Sequence, residues 1–103
     1  MSDGPVSMVC IYRVRPGEET EFERLLRSHW PTLNQAGLVT GEPARILKAQ
    51  GRDGKLTFLE SFAWKDAGAS DRAHQTPRVM ALWGPMEALT DDMEFLPVQP
   101  LDG

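Results

Sequence analysis

Two extended runs separated by a tight reversal constrain this chain more than any other feature. ARILKAQ (Ala44–Gln50) and KLTFLESFAW (Lys55–Trp64) are rich in aliphatic and aromatic residues, and GRDG stands between them. An Asp-Gly pair supplies the backbone conformation that a short antiparallel turn needs, so a β-hairpin is expected here. With all four GRDG residues in the loop, Gln50 falls opposite Lys55, Leu47 opposite Phe58 and Arg45 opposite Glu60, a register in which opposite charges meet.

A strand and a helix precede this hairpin, and a helix and a strand follow it. VSMVCIYRV (Val6–Val14) has the β-branched and aromatic content of a strand, and Arg15-Pro16-Gly17 stops it. From Glu18 the acidic EETEFE suits a helix N-terminus. Phe22, Leu25, Leu26, His29, Trp30 and Leu33 then recur at helical spacing, with Pro31 expected to kink or break the helix and Gly37 to close it. Between Asp66 and Thr90 the helical signal comes in pieces. Thr76-Pro77 resembles a cap and first-turn proline, Val79, Leu82, Trp83 and Met86 share one side, and Gly84-Pro85 is expected to interrupt again. MEFLPVQPL (Met93–Leu101) reads as a last strand whose prolines confine it to an edge or require bulges. The order strand, helix, strand, strand, helix, strand is that of an α+β ferredoxin-like split unit, an antiparallel sheet with two helices on one face. Without a repeat or a low-complexity linker, all 103 residues read as one domain.

The strands alternate in an unusual way, because both faces are apolar. Met8, Cys10, Tyr12 and Val14 share one face of the first strand, with Val9 and Ile11 on the other. Leu59 and Ala63 likewise oppose Phe58, Phe62 and Trp64, and Leu96 and Val98 oppose Met93 and Phe95. Two helices cover one face only, so the other is expected to be shielded by a second copy of the chain, sheet against sheet, as a homodimer.

Composition narrows the function classes. A formal charge of -4 is wrong for a phosphate-backbone partner, so nucleic acid is set aside. The N-terminal MSDGPVSMVC lacks the basic start and apolar run of a signal peptide. No stretch has the length of a membrane span, so a cytoplasmic protein without a membrane partner is expected. The one cysteine, Cys10, cannot form an internal disulfide and sits in an apolar strand, which suits a core thiol rather than a nucleophile. The two histidines lie far apart with no HExxH or CxxC spacing, and neither GxGxxG nor GxxxxGKS occurs, so no metal site and no phosphate loop is expected.

LESFAWKDAGA (59–69), a Glu-bearing strand with an aromatic exit, is followed by AHQTPRVMALWGPM (73–86), a second helix that carries a histidine. In these stretches and in its topology the chain resembles the antibiotic biosynthesis monooxygenase-like proteins of the dimeric α/β-barrel superfamily. The resemblance implies two protomers pairing their sheets, a pocket in each between sheet and helices, and oxidation of phenolic or quinol-like compounds by dioxygen with no flavin, haem or metal cofactor.

His74 stands where that resemblance places a histidine, and a neutral imidazole there would take a phenolic proton or hold an oxyanion; otherwise it satisfies a backbone group near a helix end. Glu60, amid Phe58, Phe62 and Trp64, is a candidate substrate contact, although an ion pair with Arg45 would explain it without catalysis. His29, next to Trp30 and Pro31, lines a pocket mouth if the helix kinks, or else bonds the carbonyl that Pro31 frees. Trp64, Trp83 and Met80, with Met86, would make a wall for a flat aromatic ligand or simply belong to the core. The leading expectation is a cofactor-independent monooxygenase acting on a small aromatic, quinol or polyketide-like compound. The alternative is a non-catalytic ligand-binding or accessory dimer, and isomerisation on the same fold also stays open. The haem-degrading relatives carry an asparagine on the first strand and a ligating histidine late in the second helix. Here the only asparagine is Asn34 and no later histidine follows His74, which argues against haem.

Overall fold

A computed structural model describes residues 4–102. The elements run β1 (Val6–Val14), α1 (Glu19–Gln35), β2 (Arg45–Gln50), β3 (Leu56–Trp64), α2 (Ala69–Ala73), α3 (Pro77–Ala88) and β4 (Thr90–Pro97). The four strands form one antiparallel sheet in the order β2-β3-β1-β4, with β1 and β3 central. This is the expected ferredoxin-like arrangement, with the second helical region divided in two.

The helices cover the face that carries Met8, Cys10, Tyr12 and Val14 from β1 and Phe58, Glu60, Phe62 and Trp64 from β3, all buried. From α1, Phe22, Leu25, Leu26, His29 and Leu33 are sunk into this layer. Each such aliphatic or aromatic side chain contributes about 1.5–3 kcal/mol on leaving water. Tyr12, Phe22 and Phe58 anchor the centre, with ring centroids 5.2 Å and 5.5 Å apart for the Tyr12–Phe22 and Phe22–Phe58 pairs. The opposite face presents Leu47, Leu59, Ile11, Val9 and Leu96 in a continuous apolar band, in which Leu59 pairs with Ile11 on one side and Leu47 on the other. Arg45 flanks this band on the β2 edge, with Asp92 and Glu94 on the β4 edge.

Four local expectations are corrected. The hairpin register is one residue off, because the loop holds three residues and not four. Gly51 joins the ladder, its N–H donating to the Lys55 carbonyl, while Gly54 turns the chain at φ +82°. Gln50 therefore pairs with Leu56, Leu47 with Leu59 and Arg45 with Ser61, and a one-residue slip reverses every side chain. Arg45 lies on the other face of the sheet from Glu60, whose β2 neighbour is Ile46.

Second, α1 runs unbroken past Pro31 to Gln35. A side-chain bond from the Thr32 hydroxyl to the Ser28 carbonyl at 2.7 Å supports the same turn. Gly37, at φ +73°, ends the helix region as expected. Third, α3 is continuous through Gly84 and Pro85. Thr76 does precede it in an extended conformation, but its hydroxyl bonds back to the Arg72 carbonyl instead of capping α3. Fourth, the last strand begins earlier than Met93 and ends at Pro97; it does lie on the sheet edge, where a proline without an N–H is tolerated. Among the described residues no helix is long and apolar enough to cross a membrane.

Candidate active site

Between the sheet and the α2–α3 layer lies a cavity of about 290 Å³, near the lower end for small-molecule pockets. Its floor is Met8, Cys10, Tyr12, Phe62 and Trp64, its inner wall His29, and its outer wall His74, Met80, Trp83 and Met86. Trp64 packs edge-on against Phe62 with centroids 5.0 Å apart, so the floor is aromatic and dry. Met93 and Phe95 close the β4 side, and Phe95 is half exposed there. Two other depressions are rimmed by charge, one by Glu23, Arg27 and Lys48 with Phe58 as its one aromatic and one by Arg13, Arg52 and Lys55 with none.

Behind the inner wall runs a buried polar chain. The Tyr12 hydroxyl donates to Oε1 of Glu60 at 2.7 Å, and His29 Nδ1 lies 2.8 Å and 3.0 Å from the two carboxyl oxygens. On the far side of the imidazole, the indole Nε1–H of Trp83 donates to His29 Nε2 at 2.7 Å. An indole nitrogen only donates, so Nε2 is the acceptor and Nδ1 carries the hydrogen that it gives to Glu60. The tautomer of His29 is thus fixed from both sides. Tyr12 and Glu60 are fully buried and His29 is nearly so, which makes satisfied partners obligatory.

The floor groups hold their protons. Burial, with the charge of Glu60 added, pushes the Cys10 thiol up to about 12. Burial also drives the Tyr12 phenol well above its ordinary value, again with Glu60 adding to the effect. Cys10 is therefore the inert core thiol that its strand context suggests.

Among the residues singled out from sequence, His29, His74, Trp64, Trp83 and Met80 meet at this one cavity. His74 sits at the exposed end of α2, where Nδ1 donates to the Ser70 carbonyl at 2.8 Å and leaves Nε2 without a partner among the described residues. Its ring meets Trp83 edge to face at 4.9 Å, while His29 lies 6.1 Å from the same indole, so Trp83 stands between the two imidazoles. Glu60 does not line the cavity but lies behind His29 and Tyr12. His29 bonds no carbonyl freed by Pro31; its partners are Glu60 and Trp83. Tyr12 was missed as a polar partner. Its place diagonal to Glu60, two positions along β1 from Cys10, follows only once the β1–β3 register is known. Among the described residues no group of three or more His, Cys, Asp and Glu side chains is arranged to hold a metal ion.

No family model matches the chain, and no curated protein sequence does. Solved structures do match over nearly its whole length. SnoaB of Streptomyces nogalater, described as a cofactor-independent oxygenase, is 20% identical, with 97% of this chain and 99% of that one covered at a TM-score of 0.67. A Nitrosomonas europaea protein assigned provisionally as an antibiotic biosynthesis monooxygenase is 11% identical, with 98% and 94% covered at 0.72. A NIPSNAP family protein of Agrobacterium tumefaciens is 18% identical, with 97% and 89% covered at 0.66. The protein has the fold of these solved structures, a ferredoxin-like α+β layer shared with the antibiotic biosynthesis monooxygenase-like proteins.

Proposed function

We propose that the protein is a cofactor-independent oxygenase that oxidises a small, flat phenol, quinol or anthrone with dioxygen, working as a homodimer. The observation that carries this reading is the aromatic-floored cavity with an imidazole at its inner wall and another at its mouth. SnoaB, which has the same fold, is described as a cofactor-independent oxygenase.

Such chemistry asks the protein for a dry, flat site and a proton acceptor, because it is the substrate anion that reacts with oxygen. For an anthrone, loss of a proton gives an electron-rich anion that passes one electron to dioxygen. The two radicals combine into a peroxide, and loss of water leaves a carbonyl. Dioxygen takes all four electrons, with one oxygen atom retained in the product and one leaving as water. His74, with Nε2 free, is an acceptor at the cavity mouth, and Trp64, Trp83 and Met80 supply the flat apolar contact.

The test is oxygen consumption by the purified protein with a panel of anthrones, naphthols and quinols, compared with His74→Ala. The expected result is catalysed uptake with one member of the panel, reduced in the variant. Saturable binding with no uptake across the panel replaces this reading with a ligand-binding dimer.

A further inference from the structure

We propose that His29 is the interior acceptor for the hydroxyl of an aromatic ligand, and that Trp83 is a placeholder whose indole N–H holds that acceptor until a phenolic O–H replaces it. This rests on the reading of the cavity as an aromatic-ligand site and adds to it the group that the site selects.

The hydrogen-bond inventory leads there. His29 Nδ1 is committed to Glu60, so the only lone pair of the ring is on Nε2, and its partner is Trp83. Tyr12 and Glu60 are held by the core, but Trp83 is half-buried, and it lines the same cavity as His29. It is thus the one member of the chain with somewhere to go. The helix around it also lacks one backbone bond. Pro85 has no N–H to give the Ala81 carbonyl, and the neighbouring Gly84 has open space where a side chain would be. A planar ligand carrying an O–H can reproduce what the indole offers, an apolar ring with one donor at its edge.

Exchange changes what the site can do. An indole N–H keeps its proton, whereas a phenolic O–H on Nε2 can pass it across, breaking the O–H bond and forming N–H. The resulting imidazolium lies against the Glu60 carboxylate, which balances its charge, and Glu60 is itself positioned by Tyr12. His74 has only a backbone carbonyl as partner and faces solvent, so it offers a proton neither a dry site nor a counter-charge. The buried imidazole thus gives the site a second acceptor inside the cavity, beside His74 at its mouth. Selectivity follows, because an isostere without a donor cannot take the indole's place without orphaning Nε2.

The experiment is anaerobic binding of 2-naphthol and of naphthalene to the wild type, Trp83→Phe and Trp83→Phe/His74→Ala, with the indole N–H signal of Trp83 followed by NMR. The wild type should prefer 2-naphthol, and that ligand alone should move the Trp83 signal from its hydrogen-bonded to its free position. Trp83→Phe deletes the competing donor, so the ratio of 2-naphthol to naphthalene affinity should rise, up to about tenfold for one hydrogen bond. Taking the ratio removes the effect of a smaller side chain on cavity size. The gain should persist when His74 is also replaced. Failure of 2-naphthol to bind, a ratio unchanged by Trp83→Phe, or a gain lost with His74→Ala overturns the proposal. Because no turnover is involved, absence of oxygen uptake bears on the oxidation and leaves this outcome separate.

Discussion

The Tyr12 hydroxyl donates to the Glu60 carboxylate across 2.7 Å, and neither side chain has any exposed surface. Glu60 accepts from His29 as well, so one carboxylate satisfies two buried donors. Glu60→Leu should consequently be severe, because the Tyr12 hydroxyl and the His29 N–H both lose their acceptor, at about 1–3 kcal/mol each. Tyr12→Phe removes one donor cleanly and should cost only about 1 kcal/mol. Urea denaturation reads both, as a fall in midpoint without a change in slope. In the double variant the costs should fall short of their sum, since the donor that Glu60→Leu strands is already gone. Additive costs would mean that the two groups do not depend on each other.

The floor of the cavity makes stability sensitive to alkali. Cys10 loses its proton at an ordinary value of 9.0 once unfolded, but folding pushes that value up to about 12, chiefly through burial and then through the charge of Glu60. Above pH 9 the unfolded chain therefore binds fewer protons than the folded one, and folding stability falls with rising pH until the native thiol also ionises near 12. Tyr12 acts with the same sign from its ordinary 10.0 upward. Each group contributes a slope of up to about 1.4 kcal/mol per pH unit. Denaturation midpoints should decline above pH 9, and Cys10→Ala should flatten the first part of that decline. An unaltered decline in the variant would show that the thiol is not the group responsible.

The fold was legible where one residue pattern settles one element. VSMVCIYRV gave β1 to the residue, and the spacing from Phe22 to Leu33 gave the buried stripe of α1. Expectation failed where tertiary contacts overrode a local rule. Pro31 and Pro85 each remove one hydrogen bond, yet both helices continue because their faces are packed against the sheet or against each other. The hairpin turned on whether Gly51 belongs to the loop or the ladder, a choice that Gly54 makes by adopting a positive φ. That single residue moved Arg45 to the far face and left Glu60 to find another partner. The site was legible as a set of residue types but not as a network. His29 lay on a buried stripe and Glu60 on a helix-facing strand position, but their pairing across 31 residues depends on how α1 crosses β3.

The open face of the sheet makes a prediction that separates dimer from monomer by a single substitution. Leu59 lies at the centre of that face, between Ile11 and Leu47. On an isolated protomer its side chain is half-buried beside water, so a charge there can still reach solvent. Against a second sheet the same charge would be buried with no partner, at a cost of several kcal/mol, enough to separate the subunits. Two copies of the band can meet through the same surface, as a two-fold contact requires, with Asp92 and Glu94 on its β4 edge already paired with Arg13 of their own chain. The wild type should therefore sediment as a dimer at micromolar concentration. Leu59→Glu should sediment as a monomer with its circular dichroism intact, whereas Leu59→Val should remain paired. A wild type that sediments as a single protomer would leave the band facing water and remove the homodimer from the proposed function.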